Sequence, residues 1–341
     1  MQKHRILIAG IGGASLGTEI AKCLALANRY QIFGCDISPL AYGHFMNLFQ
    51  QTFLANDENY IESILDICKK HKIFYIIPGG ELPMTLLVER QDILKEEKIT
   101  IVSNSPDVIK TFSIKKETFV KLKQFGFTIP ETIEYNTEKD LDQISFPCII
   151  KPSVGTGGSD SVFLVADKKE CSVLVELLKR NKRSIILQEY ISLDEGEFTI
   201  GVLSLPDKTI VGSIAMKRIF NTKLSIAHKS ELGLISSGYS QGLIDDFPQY
   251  RKTAEKIALS IGSRGPLNIQ GRVKEGKFIP FEINPRFSAS TYLRALAGVN
   301  EIDVYLQYLI HNKYDDSCYH NIKKGYYLRS FTQEYVPGKI K

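Results

Sequence analysis

Residues 278–286 read Phe-Ile-Pro-Phe-Glu-Ile-Asn-Pro-Arg, and this is the most informative stretch of the chain. Glu282 and Asn284 lie two positions apart in a predicted strand, so both side chains point to one face. A turn of odd length centred on Gly276 would place Gln270 of the preceding strand directly opposite Glu282. Three oxygen ligands on one face suit a hard cation such as Mg²⁺ or Mn²⁺. The stretch therefore predicts a metal site, and the alternative is a solvated strand end with an Asn-Pro turn.

Two basic residues stand where they could meet an anionic ligand. Arg286 ends the stretch just quoted, and a guanidinium can hold a phosphoryl or carboxylate group through two hydrogen bonds. Lys151 ends an earlier predicted strand and would supply a point charge. The loop after it is rich in glycine and hydroxyl residues, which let N–H and O–H donors approach an anion. Unless this loop is a plain turn, we expect phosphate contacts from Ser153, Gly155, Thr156, Gly157, Gly158 and Ser159.

An apolar strand predicted at residues 187–191 leads into the acidic segment 194–197. The backbone at the end of such a strand can pair with the edge of an adenine base, and a carboxylate a few residues on can accept from ribose hydroxyls. Without the neighbouring motifs, the same segment would be interpreted as a charged surface turn.

Composition excludes several classes of protein. The 341 residues suggest two or three domains at ~150 residues each. The net charge of +5 is too small to indicate a nucleic-acid binder, and no apolar run approaches the ~18–20 residues that a membrane span needs. The six cysteines are scattered, without a Cys-x-x-Cys pair, so we expect core thiols rather than zinc or disulfides.

The first hundred residues alternate strand and helix patterns with continuous apolar strands, which favours a parallel sheet covered on both faces. After residue 104 the pattern becomes α+β. The first strand is apolar but is interrupted by glycines, so we interpret it as a buried strand rather than a signal peptide. We therefore expect a cytoplasmic protein.

The glycine-rich stretch 10–17 follows the first strand and opens a helix, and Asp36 closes the second strand. This imitates a dinucleotide-binding fingerprint, although its spacing departs from G-x-G-x-x-G. A nicotinamide site is the less favoured alternative. Glu81 follows Pro78-Gly79-Gly80 at another strand end, where it could touch a substrate amine or simply cap a helix.

A basic stretch predicted between strands contains Lys217, Arg218, Lys223, His228 and Lys229. It could cover a substrate and clamp a carboxylate or phosphate, and the alternative is a solvated hairpin. Arg218 is the preferred clamp because its forked guanidinium suits a planar acid, and His228 could donate a hydrogen bond to substrate.

The order of these motifs resembles the ATP-grasp superfamily, and within it single-unit relatives of the carbamoyl-phosphate synthase large subunit. The ordered set is Lys115, Lys151, the glycine-rich loop, Gln188-Glu189-Tyr190-Ile191, Glu197, Gln270 and Glu282-x-Asn284-Pro-Arg286. The resemblance spans about residues 104–310, and the first hundred residues are similar to the α/β domain that precedes the ATP-grasp fold in this family.

The resemblance implies a role for each matching residue. Lys115 would reach the ATP phosphates, with Lys116 as a substitute if the register slips by one. Lys151 would contact the α-phosphate and adenine, and the glycine loop would close over the β- and γ-phosphates. Glu189, with the backbone of Tyr190 and Ile191, would form the adenine hinge, and Glu197 would bind ribose. Gln270, Glu282 and Asn284 would be the metal ligands, and Arg286 would face the transferred phosphoryl group and the acid substrate.

The implied activity is that of an ATP-dependent ligase, which forms an acyl phosphate from a carboxylate and couples it to an amine. The alternatives are an enzyme forming carboxy- or carbamoyl phosphate and a non-catalytic nucleotide-binding module. ATP and Mg²⁺ are the expected cofactors, and small carboxylates and amines the expected substrates. No nucleic acid or membrane partner is expected, and a homodimer is left open.

The predicted fold is α/β followed by α+β. It comprises a Rossmann-like parallel-sheet domain at residues 1–104 and a two-subdomain ATP-grasp fold. The latter divides into a small lid subdomain at 105–187 and a C-terminal subdomain with the metal site at 188–341.

Overall fold

The computed structural model describes residues 3–13, 16–153, 161–181 and 183–333. Their contacts divide the chain into two compact units. The first unit comprises the described residues of 1–106, 286–322 and 329–341, and the second those of 107–285 and 323–328. Compactness thus groups residues 286–322 with the N-terminal sheet, whereas the sequence-based division placed them in the C-terminal subdomain.

The described elements are as follows. The helices are α1 (Leu16–Ala27), α2 (Tyr60–His71), α3 (Glu81–Glu89), α4 (Gln91–Glu96), α5 (Pro106–Phe112), α6 (Lys115–Gln124), α7 (Lys168–Arg180), α8 (Pro248–Ser260), α9 (Thr291–Leu296) and α10 (Glu301–His311). The strands are β1 (His4–Ala9), β2 (Tyr30–Asp36), β3 (Gln51–Leu54), β4 (Tyr75–Pro78), β5 (Thr100–Ile101), β6 (Thr132–Tyr135), β7 (Cys148–Pro152), β8 (Phe163–Val165), β9 (Ile185–Glu189), β10 (Glu197–Ser204), β11 (Ile210–Arg218), β12 (Ile226–Ser230), β13 (Gly233–Ser236), β14 (Gly242–Asp245), β15 (Pro266–Lys274), β16 (Lys277–Asn284) and β17 (Gly325–Tyr327).

The first unit contains a parallel five-stranded sheet in the order β3-β2-β1-β4-β5. Successive side chains of β1 point to opposite faces, yet Ile6, Leu7 and Ile8 are all fully buried. Both faces of the sheet are therefore covered, as the uninterrupted apolar strands predict. The expected parallel sheet is confirmed.

The glycines of the first unit serve close backbone packing. Gly17 N–H donates to Gly79 O at 3.1 Å, and a Cβ on either residue would lie 1.9 Å from Gly10 O. Asp36 accepts backbone N–H bonds through both carboxylate oxygens, from Ile11 at 2.8 Å and Ser38 at 3.0 Å. These contacts explain the fingerprint-like spacing as a packing requirement. Ala14 and Ser15 of this stretch lie outside the described residues.

The second unit is built on antiparallel strands. One sheet has the order β6-β9-β7-β8, a second has the order β16-β15-β10-β11-β14-β17, and β12 pairs with β13 in a separate hairpin. In the six-stranded sheet, alternate residues such as Phe198, Ile200 and Ile269 pack into an apolar core with α8. The residues between them point to the opposite face, which is polar, so strand alternation places charged side chains on one surface.

The turn between β15 and β16 differs from the predicted one. It has two residues, Glu275 and Gly276, both with positive φ (54° and 70°), whereas an odd-length turn was expected. Two consecutive positive φ values match the twist of a tight hairpin. This even-length turn by itself would leave Gln270 one position out of register with Glu282.

A β-bulge restores the expected pairing. Gly271 pairs with Pro280 but Gln270 pairs with Glu282, so Phe281 is the extra residue of β16. A bulge inserts one residue into one strand and re-aims the side chains beyond it. Gln270 therefore lies opposite Glu282, as predicted, but through a bulge rather than through the turn.

Two smaller findings complete the fold. Five of the six cysteines are buried and Cys318 is half-buried, and all are free thiols, as expected. Within the part of the chain that the structure describes, no helix is long and apolar enough to cross a membrane.

Candidate functional site

One cleft of the second unit collects residues from the predicted phosphate, base, ribose and metal sets. The empty space of the cleft, including the solvent at its open mouth, is about 760 Å³. Its described lining comprises Lys115, Ile149, Lys151, Val162, Gln188, Glu189, Tyr190, Ile191, Glu197, Leu234, Ile235, Ser236, Arg272, Phe281 and Glu282. The cleft therefore brings together residues that were predicted separately from distant parts of the sequence.

Lys151 is a buried cation at the end of β7. Its residue is only 5% exposed, and its Nζ donates to Gln188 Oε1 at 2.8 Å. Gln188 in turn donates to Thr132 Oγ1 at 2.8 Å, so its amide oxygen is directed at the lysine. The Lys151 ammonium also lies 5.6 Å from the centre of the Phe119 ring. These contacts hold the ammonium at one position beside the cleft.

Burial, and to a smaller extent the charge of Lys115, lowers the pKa of Lys151 to about 7, against the opposing charge of Glu282. Desolvation disfavours the charged form of an amine, and a neighbouring cation adds to the effect. The lysine therefore changes protonation state near neutral pH, and an anion placed beside it would favour the charged form.

This pKa predicts a pH dependence of anion binding. Only the protonated lysine attracts a phosphate, so the affinity for ATP should fall as pH rises above about 7. The affinity should fall by about tenfold per pH unit above 7, as long as the pKa of Lys151 in the nucleotide complex lies above the pH of the measurement. Titration calorimetry with ADP between pH 6 and 9 measures it, and an affinity that is constant over this range would contradict the assignment.

Lys115 and Lys116 occupy different surroundings at the start of α6. Lys115 lines the cleft, and its backbone N–H donates to Ser153 O at 3.0 Å. Lys116 is exposed and forms an ion pair with Glu134 at 2.6 Å. Of the two alternatives, Lys115 is therefore the one that lines the cleft.

Ser153 is the one predicted loop residue that the structure describes; it is buried, and its N–H donates to Ser184 O at 2.9 Å. The others, Gly155, Thr156, Gly157, Gly158 and Ser159, lie outside the described residues.

The predicted base contacts follow β9. The Glu189 carboxylate accepts from Lys274 Nζ at 2.9 Å and from Glu131 N–H at 3.2 Å. Tyr190 and Ile191 both line the cleft, and Ile191 is buried. The Glu189 carboxylate is thus engaged, and Ile191 O accepts from Arg272 Nη1 at 2.7 Å, so the backbone of Tyr190 and the N–H of Ile191 remain of the predicted base contacts.

The predicted metal ligands share the polar face of the six-stranded sheet. Gln270 Nε2 donates to Glu282 Oε2 at 3.0 Å, and Asn284 lies two positions further along β16. Asn284 is buried, and its Nδ2 has no hydrogen-bond partner among the described residues. The carboxylate of Glu282 and the amide oxygens of Gln270 and Asn284 are the oxygen ligands that a partly hydrated divalent cation takes. Over the described residues, no cluster of three or more His, Cys, Asp or Glu side chains offers an alternative site.

Glu197 is completely buried between two guanidinium groups. Arg218 Nη1 donates to its Oε1 at 3.0 Å, and Arg272 Nε donates to its Oε2 at 2.9 Å. Both oxygens of the predicted ribose ligand are thus already engaged, although the residue borders the cleft. Buried charges require such partners.

Arg218 differs from its predicted position. It is the last residue of β11, and its side chain is 1% exposed, whereas a substrate-covering segment between strands was expected. Its Nη2 donates to Ser237 O at 2.7 Å and its Nη1 also contacts Gln270 Oε1 at 3.4 Å. Strand alternation turns Arg218 toward the buried carboxylate of Glu197, so its guanidinium is engaged there, and its role as a substrate clamp stays a prediction.

Sequence reasoning missed Arg272. The residue stands between apolar positions of β15, a central strand, and follows Gln270 on the same face. In the sequence, Arg272 continues the polar positions of Asn268 and Gln270, and this alternation does not distinguish a buried charge from an exposed one. Its partner, Glu197, is 75 residues away and could not be identified from spacing.

The remaining candidates lie elsewhere. In the first unit, Arg286 Nη2 donates to Glu81 Oε1 at 2.8 Å, so two residues assigned independently to substrate contacts form one ion pair. The pair is partly exposed. In the second unit, His228 lies exposed on β12 opposite Ile235 and is not among the described residues that line the cleft.

Two family models match the chain. One, described as ATP-grasp in the biosynthetic pathway with Ter operon, matches residues 181–333. The other, described as a RimK-like ATP-grasp domain, matches residues 108–232. Together they match residues 108–333, which include the described residues that line the cleft.

Curated relatives include carbamoyl phosphate synthase large chains. That of Clostridium beijerinckii is 24% identical over 270 residues, which are 76% of this chain and 24% of that one. That of Thermoplasma acidophilum is 25% identical over 316 residues, which are 86% of this chain and 29% of that one. The chain spans about a quarter of the length of the curated relatives it matches.

Several solved structures share this fold over about 90% of the chain. The L-amino acid ligase from Bacillus licheniformis has a TM-score of 0.65 at 16% identity, covering 90% of this chain and 74% of that one. The N5-carboxyaminoimidazole synthetase from Staphylococcus aureus, solved with ADP, has a TM-score of 0.66 at 16% identity, covering 90% and 77%. The biotin carboxylase domain of a Hydrogenobacter thermophilus carboxylase, solved with MgADP and bicarbonate, has a TM-score of 0.63 at 16% identity, covering 90% and 70%. At these identities, the likeness establishes a shared fold.

Proposed function

Because this chain belongs to the ATP-grasp superfamily, we propose that it is an ADP-forming ligase that activates a carboxylate as an acyl phosphate and couples it to an amine. The observation that carries the proposal is the cleft, where Lys115 and Lys151 lie with Glu282 and the backbone of Tyr190 and Ile191. Cations beside a carboxylate suit a polyphosphate with its divalent metal, and backbone N–H and C=O groups at the end of a strand suit the edge of a base.

The reaction begins when a carboxylate oxygen of the acid attacks the γ-phosphorus of ATP. The bond between that phosphorus and the bridging oxygen breaks, and ADP leaves. The amine then attacks the acyl carbon of the acyl phosphate, phosphate departs, and the amine proton passes to solvent. The result is an amide, ADP and inorganic phosphate.

The residues of the cleft would act mainly by position and charge. Lys151 and Lys115 would neutralise charge on the phosphates, since preorganised cations stabilise a phosphoryl-transfer transition state. Glu282, Gln270 and Asn284 would hold Mg²⁺, which supplies charge neutralisation to the transferred group when bound. In the first unit, Arg286 would hold the acid and Glu81 would contact the amine.

We propose the following division of the chain into domains. The parallel sheet of the first unit would be a Rossmann-like domain that frames substrates, and residues 105–187 and 188–341 would form the two ATP-grasp subdomains. The substrates would be small molecules in the cytoplasm, with a homodimer as one assembly to test.

Release of ADP and phosphate tests the function. Purified protein is incubated with Mg·ATP and pooled small carboxylates, pooled amines and amino acids, separately and together. We expect release only when an acid and an amine are both present, because the acyl phosphate needs a nucleophile for turnover. Release supported by bicarbonate alone would instead indicate a carboxyphosphate-forming enzyme. ADP binding without any release would indicate a non-catalytic nucleotide-binding module.

A further inference from the structure

Arg272 lines the cleft but was not among the predicted site residues. Its Nε donates to Glu197 Oε2 at 2.9 Å, its Nη1 to Ile191 O at 2.7 Å and its Nη2 to Leu234 O at 2.7 Å. The guanidinium also lies 4.9 Å from the centre of the Tyr190 ring. All three guanidinium nitrogens are therefore engaged, and the residue is 6% exposed.

The two carbonyls that Arg272 holds belong to different walls of the cleft. Ile191 follows β9, and Leu234 lies on β13 of the separate hairpin. Both residues line the cleft. Arg272 therefore bridges the two walls through one planar group.

A second contact fastens the same point of the hairpin. The Tyr190 hydroxyl accepts from Leu234 N–H at 3.0 Å, so both backbone groups of Leu234 are held by residues of the opposite wall or by Arg272. The neighbouring Gly233 leaves the room for this contact, since a Cβ there would lie 2.0 Å from Tyr190 Oη. The hairpin is thus latched onto the segment that carries the predicted base contacts.

The charge of Arg272 is paired with the carboxylate of Glu197. The fully buried Glu197 carboxylate also binds Arg218, so the three side chains form a buried Arg–Glu–Arg cluster with one excess positive charge. Lysine could not replace Arg272 in this position, because an ammonium on a flexible stem lacks the planar fork that reaches three separate acceptors. Glu197 is therefore the counter-ion of this cluster, because each of its carboxylate oxygens accepts a hydrogen bond from one arginine.

We propose that Arg272 is a positioning residue for nucleotide binding, which holds the Ile191 and Leu234 walls at the spacing that a purine base requires, with Glu197 as its counter-ion. This rests on the proposed function only in requiring that the cleft bind an adenine nucleotide. Arg272 acts through the backbone of its neighbours and touches no reacting atom.

The test is titration calorimetry of the full-length protein with Mg·ADP and Mg·GDP, accompanied by thermal unfolding. Arg272→Lys keeps the charge but loses the fork, so we expect ADP affinity to fall by about thirtyfold. The preference for ADP over GDP should fall as well, by about fivefold, because the wall spacing discriminates between bases. Tyr190→Phe removes only the latch on Leu234 and should weaken ADP binding by about fivefold.

Ser230→Ala, on the exposed strand of the same hairpin, is the matched control and should bind ADP within twofold of the parent. A merely structural role for Arg272 would lower the unfolding temperature but leave the affinity and the base preference of the folded protein unchanged, and that result would overturn the proposal. If Arg272→Lys does not fold, Tyr190→Phe decides, and unchanged binding there overturns it. If the parent protein binds no adenine nucleotide, the proposed function itself fails.

Discussion

Glu282→Ala is expected to lower Mg·ATP turnover by about a thousandfold or more while the protein keeps its fold. Glu282 is the one carboxylate among the three predicted ligands, so its loss leaves only neutral amides to hold the cation. A metal ion stabilises the charge of phosphoryl transfer by several kcal/mol, and about 4 kcal/mol corresponds to a thousandfold. Because the side chain lies on the polar face of β16, its removal opens no cavity in the apolar core behind Ile283.

The measurement is ADP release over a Mg²⁺ titration, with unfolding temperature recorded in parallel. Glu231→Ala, which removes an exposed carboxylate of the same unit, is the matched control and should retain full turnover. Glu282→Gln should raise the Mg²⁺ concentration needed for half-maximal rate. Turnover of Glu282→Ala within a few-fold of the parent, at unchanged Mg²⁺ requirement, would refute the metal assignment.

Lys151→Met is expected to lower kcat/KM for ATP by about 10²–10³ without destabilising the protein. The ammonium is held beside the cleft by Gln188, so its charge acts from a preorganised position in a water-poor site. Methionine has similar length and fills the space beside Phe119.

Lys151→Met should also change how the stability of the protein depends on pH. The lowered pKa of Lys151 means that the folded protein disfavours the charged form. Below about pH 7 the lysine is protonated in both the folded and unfolded states, so the full cost of burying its charge is present. As pH rises above 7 the folded form releases its proton first and stability recovers. Lys151→Met removes this cost, so its unfolding temperature below pH 7 should equal or exceed that of the parent.

Lys116→Met is the matched control, because Lys116 is an exposed neighbour paired with Glu134. It should leave kcat/KM within about twofold. The pH dependence of ADP binding near pH 7 should be present in Lys116→Met and absent from Lys151→Met. If both variants lose activity equally, or if the pH dependence persists without Lys151, this lysine is not the phosphate contact.

Much of the site was predictable because its residues follow local rules. Side chains two apart in a strand share a face, and this relation placed Glu282 and Asn284 together. The apolar strand before residue 191 and the cation at the end of β7 were likewise visible as short patterns. The glycine spacing of residues 10–17 was also visible, but the same pattern serves backbone packing or a dinucleotide, and only the contacts of Gly10, Gly17 and Asp36 distinguish them.

The sequence by itself thus determined the order of the motifs, the alternation of polar and apolar residues in the strands, and the residue types available for phosphate and metal. Tertiary structure decided which of these side chains are free to act. It joined Glu197 to Arg218 and Arg272, paired Glu81 with Arg286 across 205 positions, and set Gln270 opposite Glu282 through the bulge at Phe281. The reason is physical: periodicity reports the face on which a side chain lies, whereas the partner that buries or neutralises it comes from a distant strand whose register no local pattern records.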